Sequence, residues 1–231
     1  MSKGAPLSLI ILKNVCHIHR NVADFSYLRS RKRIYRVMQQ YYDKLIAKLP
    51  KFDNEEFYEV LDRCTEIEVV EKGHRLINFQ SMSKKLFVII EGAVMTDFIA
   101  RNAEKRTIMF HTEEFCPFFK SYDSFFLHKH SSYEVRAVER TIVAVINFEH
   151  FYQYVLSDLE VLQFYTHATE ELFMITEQLR NNQLTLTSEE YLEWLYDHFP
   201  FIMGRFPAQN IASFMGITPV WLSKLKAKLF S

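Results

Sequence analysis

The run Ile211 to Leu229, IASFMGITPVWLSKLKAKL, constrains the fold of this chain more than any other. Gly216 marks a forced turn, because only glycine enters the left-handed backbone region without steric cost. Thr218 can cap a following helix, and Pro219 suits that helix's first turn, where its missing N–H would be unpaired anyway. Ile211, Met215, Ile217, Leu222 and Leu225 are apolar, and Ala212 stands where a bulky side chain would block a close helix crossing. Turning by about 100° per residue, Leu222, Leu225 and Leu229 share one face of the second helix. Val220, Ser223, Lys224, Ala227 and Lys228 spread over the other, with Trp221 at its flank. This is the layout of a helix-turn-helix, with an ordinary helix pair as the alternative. The ordinary pair needs neither the Ala212/Gly216 pairing nor a basic outer face, so DNA binding is the expectation.

Charge supports local rather than bulk contact with phosphates. The 231 residues carry 28 Lys/Arg and 28 Asp/Glu, a formal net charge of zero. The two signs are segregated: residues 1–37 hold eight bases against Asp24 alone, and 204–231 hold Arg205, Lys224, Lys226 and Lys228 with no acid. Such a neutral protein with a basic end does not coat nucleic acid by charge alone. No apolar run approaches the eighteen or so residues of a membrane span, and Leu7 to Val15 is interrupted and short for a secretory signal. Cys16, Cys64 and Cys116 are scattered and odd in number, which suits reduced thiols in a cytoplasm and excludes a CxxC site.

Along the chain the hydrophobic period changes twice. Residues 41–49 read as a short helix ended by Pro50, and Asp53 with Glu56 as the start of a second helix reaching about Arg63. Short β-branched or aromatic runs follow at Thr65–Glu71, Arg75–Asn78, Lys85–Glu91, Ala93–Ala100, Arg106–His111, Ser132–Ala137 and Thr141–Asn147. Turn signals separate them at Lys72-Gly73, Gln80-Ser81 and Arg101-Asn102, the spacing of an antiparallel barrel or jelly roll. From Asp158 to about Asn181 there is no Gly or Pro, and Leu159, Leu162, Tyr165, Leu172, Ile175 and Leu179 lie along one side. That helix either pairs with a copy of itself or lies on the roll. Thr187 and Glu190 form a capping box for a helix to about His198, closed by Pro200 and Gly204.

Helix, β-roll, long helix and helix-turn-helix in this order resemble the Crp/Fnr family of bacterial transcription regulators. EKGHRL (71–76), Gly92 in FVIIEGAV, AVERTIVAVINFEHFYQYV (137–155) and RFPAQNIASFMGITPVWLSKLKAKL (205–229) carry the likeness, the last most specifically. The resemblance implies an α+β chain: an antiparallel, jelly-roll-like sensor domain over 38–155, a dimerisation helix over 156–182 and a DNA-binding helix-turn-helix over 183–231. It implies a homodimer joined along 158–181, bound to double-stranded DNA in the cytoplasm, with RNA polymerase as a further partner. Residues 1–37, with RSRKRIYR (29–36), form a basic extension. It could bind DNA backbone or an anionic surface, stay unstructured, or reflect translation begun upstream of Met38. Lys224 takes the family's base-reading arginine position, and Val220 can touch a thymine methyl. Thr218, Ser223 and Lys228 are expected at phosphates, and Trp221 at the DNA backbone or sealing the helix pair. The β-wing that often follows this helix would be missing beyond Ser231.

The sensor half departs from the family's cyclic-nucleotide pattern. In EEFCPFFKSYDSFFLHKHSSYEVRA (113–137), Ser131 and Ser132 fall near the phosphate position, but the arginine is replaced by Lys129 and His130. Gln80 replaces a turn glycine. Without the bidentate arginine a buried cyclic phosphate loses its strongest contact, so no response to cyclic AMP is expected. Three scattered thiols cannot hold the iron–sulfur cluster of the oxygen-sensing branch, haem stays open, and no cofactor is assigned. The aromatic stretch 115–126, with Phe115 and Phe118, either lines an effector pocket with Ser131 and Ser132 or fills the roll's core. The rival class is a cupin-type metal enzyme, from HxHxxxE at His128, His130 and Glu134. Its flanking glycines are Tyr122 and Thr141 here, and no second motif supplies the remaining histidine. No catalytic constellation stands out. A third reading is a sensor paralogue that acts by pairing with other proteins.

Overall fold

The computed structural model describes residues 55–99 and 104–229. The expected helix over 41–49, the run 29–36 and the Arg101-Asn102 turn lie outside these residues. A helix α1 (Glu55–Cys64) leads into strands β1 (Thr65–Val70), β2 (Arg75–Ile77), β3 (Lys85–Glu91), β4 (Ala93–Ile99) and β5 (Lys105–Thr112). Then come β6 (Phe118–Lys120), a one-turn helix α2 (Tyr122–Phe126), β7 (Tyr133–Ala137) and β8 (Thr141–Asn147). Six helices close the described chain: α3 (Phe148–Ser157), α4 (Leu159–Thr185), α5 (Ser188–His198), α6 (Pro200–Arg205), α7 (Ala208–Met215) and α8 (Pro219–Leu229). The class is α+β, as expected.

The eight strands form two antiparallel four-stranded sheets, ordered β1-β8-β3-β6 and β2-β7-β4-β5. Phe87, Ile89, Val143 and Val145 of the first sheet meet Val94, Val135 and Ala137 of the second. The outer face of the first sheet, with Leu86, Val88, Ile142, Ala144 and Ile146, lies under Phe57 and Leu61 of α1, Phe151 and Val155 of α3 and Val161 of α4. The outer face of the second, with Ala93, Met95 and Phe110, lies under the C-terminal helices. Strands β3, β4 and β8 are therefore buried on both faces, which is why they read as unbroken apolar runs rather than alternating ones.

Gly92 joins β3 to β4 at φ +112°, and a Cβ built there would lie 2.6 Å from Thr141 Oγ1, 2.7 Å from Thr141 Cα and 2.9 Å from the Arg140 carbonyl. The turn thus demands glycine twice over, for its torsion and for its space. At the second expected turn, Gln80 carries φ +58° in place of glycine. Its N–H donates to the Ser131 carbonyl at 2.9 Å, which holds the strained residue in place.

The long helix runs to Thr185, four residues past the expected end, capped at its start by Asp158 Oδ1, which accepts from the Val161 N–H at 3.0 Å. The side named by Leu162, Tyr165, Leu172, Ile175 and Leu179 faces its own chain: the first two pack on the roll and the others on the C-terminal helices. α4 is therefore the beam that ties both cores together. Leu159, expected on that same side, is instead 70% exposed, and with Phe173 64%, Met174 68% and Leu184 75% exposed it belongs to the outward set.

Candidate nucleic-acid interface

The helix pair forms as its sequence dictates. Gly216 ends α7 at φ +72°, and the Ile217 N–H reaches back to the Ala212 carbonyl at 3.0 Å. Ala212 is fully buried at the crossing. Thr218 Oγ1 accepts the Trp221 N–H at 3.1 Å, capping α8. Leu222 and Leu225 are buried against α5 and α7, while Val220 is 67% and Trp221 46% exposed. Thr218, Ser223 and Lys224 are exposed as well. The six residues expected to meet DNA are thus on the surface, not turned into the roll.

Two of the four C-terminal cations are engaged within the chain, a correction to the charge count. Lys228, its side chain 67% exposed, pairs with Glu189 of α5 at 2.6 Å. Arg205 donates from Nη1 to both oxygens of Glu113, at 3.1 and 3.0 Å, and from Nη2 to Glu139. These acids belong to the roll, so Arg205 clasps the two halves together. The basic character of the outward face rests on Lys224, with Lys226 half-buried beside it.

The clasp is one part of a larger joint that sequence reasoning missed. Asn210 Nδ2 donates to Thr107 Oγ1 at 3.0 Å, and the Thr107 N–H donates to Ser213 Oγ at 3.1 Å. Thr107 Oγ1 in turn donates to the buried Asp97 carboxylate at 2.7 Å. Beside this polar seam the Phe110 ring lies 4.4 Å from Phe206 and 5.0 Å from Phe214, centroid to centroid. Gln183 Nε2 of α4 donates to the Phe214 carbonyl at 2.8 Å. α7 is therefore fixed on β5 and α4, and α8 is held on the far side of it.

The four candidate effector residues do not meet around one space. Phe115 packs between Phe199 and Phe201 of the C-terminal helices, at 4.9 and 5.2 Å, whereas Phe118 packs on the opposite, α1/α3 side of the roll. Cys116, at φ +45°, turns the chain between them. Ser131 Oγ donates to the Tyr133 carbonyl at 2.8 Å and is buried. Ser132 Oγ and N–H both donate to Asp123, at 2.6 and 3.0 Å. Each serine is thus used in holding its own loop. Burial holds His111 neutral, pushed down to about 4, with its ring nitrogens on Thr96 and the Cys116 carbonyl, and raises the Cys116 thiol to about 12.

The cupin motif is not assembled as a ligand set. Glu134 is buried in β7 with its carboxylate on Lys105 at 2.7 Å and Arg75 at 3.4 Å, while His128 and His130 lie exposed in the preceding loop. Among the described residues no group of three or more His, Cys, Asp or Glu could hold a metal ion.

A two-sheet roll, a long helix and a terminal helix pair with an exposed, capped second helix define the fold of the Crp/Fnr transcription regulators. Solved structures of that family share it with this chain. FixK2 from Bradyrhizobium japonicum aligns with a TM-score of 0.58 at 14% identity, over 72% of this chain and 84% of that one. The c-di-GMP-responsive global regulator CLP from Xanthomonas campestris aligns at 0.58 and 11% identity, over 76% and 91%. A Crp/Fnr-family protein from Eubacterium rectale aligns at 0.59 and 13% identity, over 74% and 81%. No protein-family model and no curated protein sequence matches the chain. Among the described residues no helix is long and apolar enough to cross a membrane.

Proposed function

We propose that this chain is a DNA-binding transcription regulator of the Crp/Fnr type, acting in the cytoplasm as a homodimer and without cyclic AMP. The observation that carries the reading is the division of α8: Leu222 and Leu225 anchor it, while Val220, Trp221, Ser223 and Lys224 stand outward. A helix so held can enter a major groove by its N-terminal half. Lys224 would reach guanine O6 or N7, and Val220 a thymine methyl. Lys224→Ala is expected to cost about 1–3 kcal/mol of promoter binding and to relax base preference at one position per half-site. Footprinting across a panel of substituted sites measures both, and unchanged affinity and preference would remove Lys224 from the readout. With Arg205 and Lys228 engaged internally, the salt dependence should be shallow, each absent phosphate contact lowering the slope by about one.

The dimer would form along α4, through the outward set rather than the inward one. Leu159, Phe173 and Leu184 share a face at helical spacing, with Met174 at its border. Phe173→Glu is expected to leave a monomer at micromolar concentration in light scattering, with its helical content intact. Support for independence from cyclic AMP comes from Ser131 and Ser132, whose hydroxyls hold the Tyr133 carbonyl and Asp123 instead of facing a shared pocket.

A further inference from the structure

Lys120 is the last residue of β6 and is only 4% exposed. Strand alternation explains its burial. Phe119 points between the sheets and stacks on Phe87 at 5.1 Å, so Lys120 must point outward, beneath the helices that cover the first sheet. There its Nζ meets the Tyr165 hydroxyl of α4 at 2.7 Å. Five ring faces surround it: Phe148 of α3 at 4.0 Å, Phe126, Tyr122 and Phe125 of α2 at 4.8, 5.0 and 5.4 Å, and Tyr165 at 5.2 Å. One amine thus touches the roll, both short helices and the long beam.

The charge on this amine has no ionic partner among the described residues. Asp123, the nearest acid in sequence, is taken up by Ser132. The titratable groups that face it are phenols. Burial raises Tyr133 to about 12 and raises Tyr165 as well, so these stay neutral in the range that matters. Burial pushes Lys120 the other way, from 10.5 down to about 7. Ring faces attract a cation, but they do not replace the water a buried ammonium loses.

We propose that Lys120 is a proton-operated fastening between the roll and the long helix: the neutral amine keeps the aromatic cage shut over the start of α4, and proton uptake drives the cage open. The opening route is α2, whose Tyr122 and Phe126 rings already lie at the surface. The sign follows from linkage. An amine released to water binds its proton near 10.5, the closed one near 7, so between these values the open form binds more protons. Closure is complete above the upper value and is lost as pH falls toward the lower one. The roll's input would then be the proton, delivered at the joint itself. This goes beyond DNA binding and does not depend on it.

Amide hydrogen exchange in the full chain tests the fastening. Protection of residues 161–168, corrected for intrinsic exchange chemistry, is expected to be about a hundredfold higher near pH 9 than near pH 7, a tenfold change per unit. Lys120→Met should show no such change and stay protected at both pH values. A wild-type protein with flat protection, or a Lys120→Met variant that keeps the same rise, would overturn the proposal. Direct titration of the Lys120 amine by NMR needs no variant: a midpoint near 7 supports the fastening, and one near 10 ends it.

Discussion

Phe110→Ala is expected to unfasten the helix-turn-helix from the roll. The ring is fully buried between Phe206 and Phe214, so its loss removes the apolar centre of the joint and leaves a cavity in its place. Truncations of this kind cost about 3–5 kcal/mol. The remaining contacts are the packing of Phe115 on Phe199 and Phe201, the Arg205 clasp and the Thr107 seam; the last two are polar, and such contacts hold less firmly than a packed core. Urea unfolding should therefore change from one transition to two, with the C-terminal helices melting first. Proteolysis should then cut between α5 and α7 before it touches the roll. A single transition with an unshifted midpoint would mean that α4 alone holds the two halves in register.

Gly92→Ala should be nearly as damaging, and for a different reason. Its new methyl group would lie under 3 Å from the Thr141 backbone and the Arg140 carbonyl, which belong to the head of β8 and cannot swing aside as a long side chain could. Overpacking costs about 1–3 kcal/mol, and an L residue forced to this positive φ adds about 1–2 more. Gly73→Ala is the internal control: φ is +90° there, but nothing lies within 4 Å of the added carbon, so only the torsional part applies. The difference between the two variants in thermal melts isolates the steric part. Equal losses would show that torsion alone fixes both glycines.

What could be read from the residues was whatever local chemistry decides. The Gly216 turn, the Thr218 cap and the Thr187/Glu190 capping box all form as expected, because each depends on residues within a few positions. The roll was legible for a related reason, since β-branched runs between turn signals leave few other folds open. β6 and α2 were missed because three and five residues are too short to show a period, and both sit inside one aromatic run. The same run hid the separation of Phe115 from Phe118, which depends on the backbone of Cys116 rather than on composition. Charge counting did not show the partners of Arg205 and Lys228, because Glu113, Glu139 and Glu189 are distant in sequence. In α4 the apolar side read from the sequence is, apart from Leu159, the one the chain covers, but the pattern did not say whether the roll or a second copy would cover it. Lys120 did leave a trace: a lone lysine among phenylalanines, at an out-facing strand position, has no water to turn to.

The claim that binds these parts together is that α8 is held outward in order to read a duplex. Capture of sheared genomic DNA by the purified full chain at low ionic strength, followed by sequencing of what is retained, tests it most directly. Recovery of a shared palindromic site, its halves about one helical turn (roughly 34 Å) apart, is the expected result. Retention of nothing, or of fragments without a common sequence that Lys224→Ala holds equally well, would contradict it.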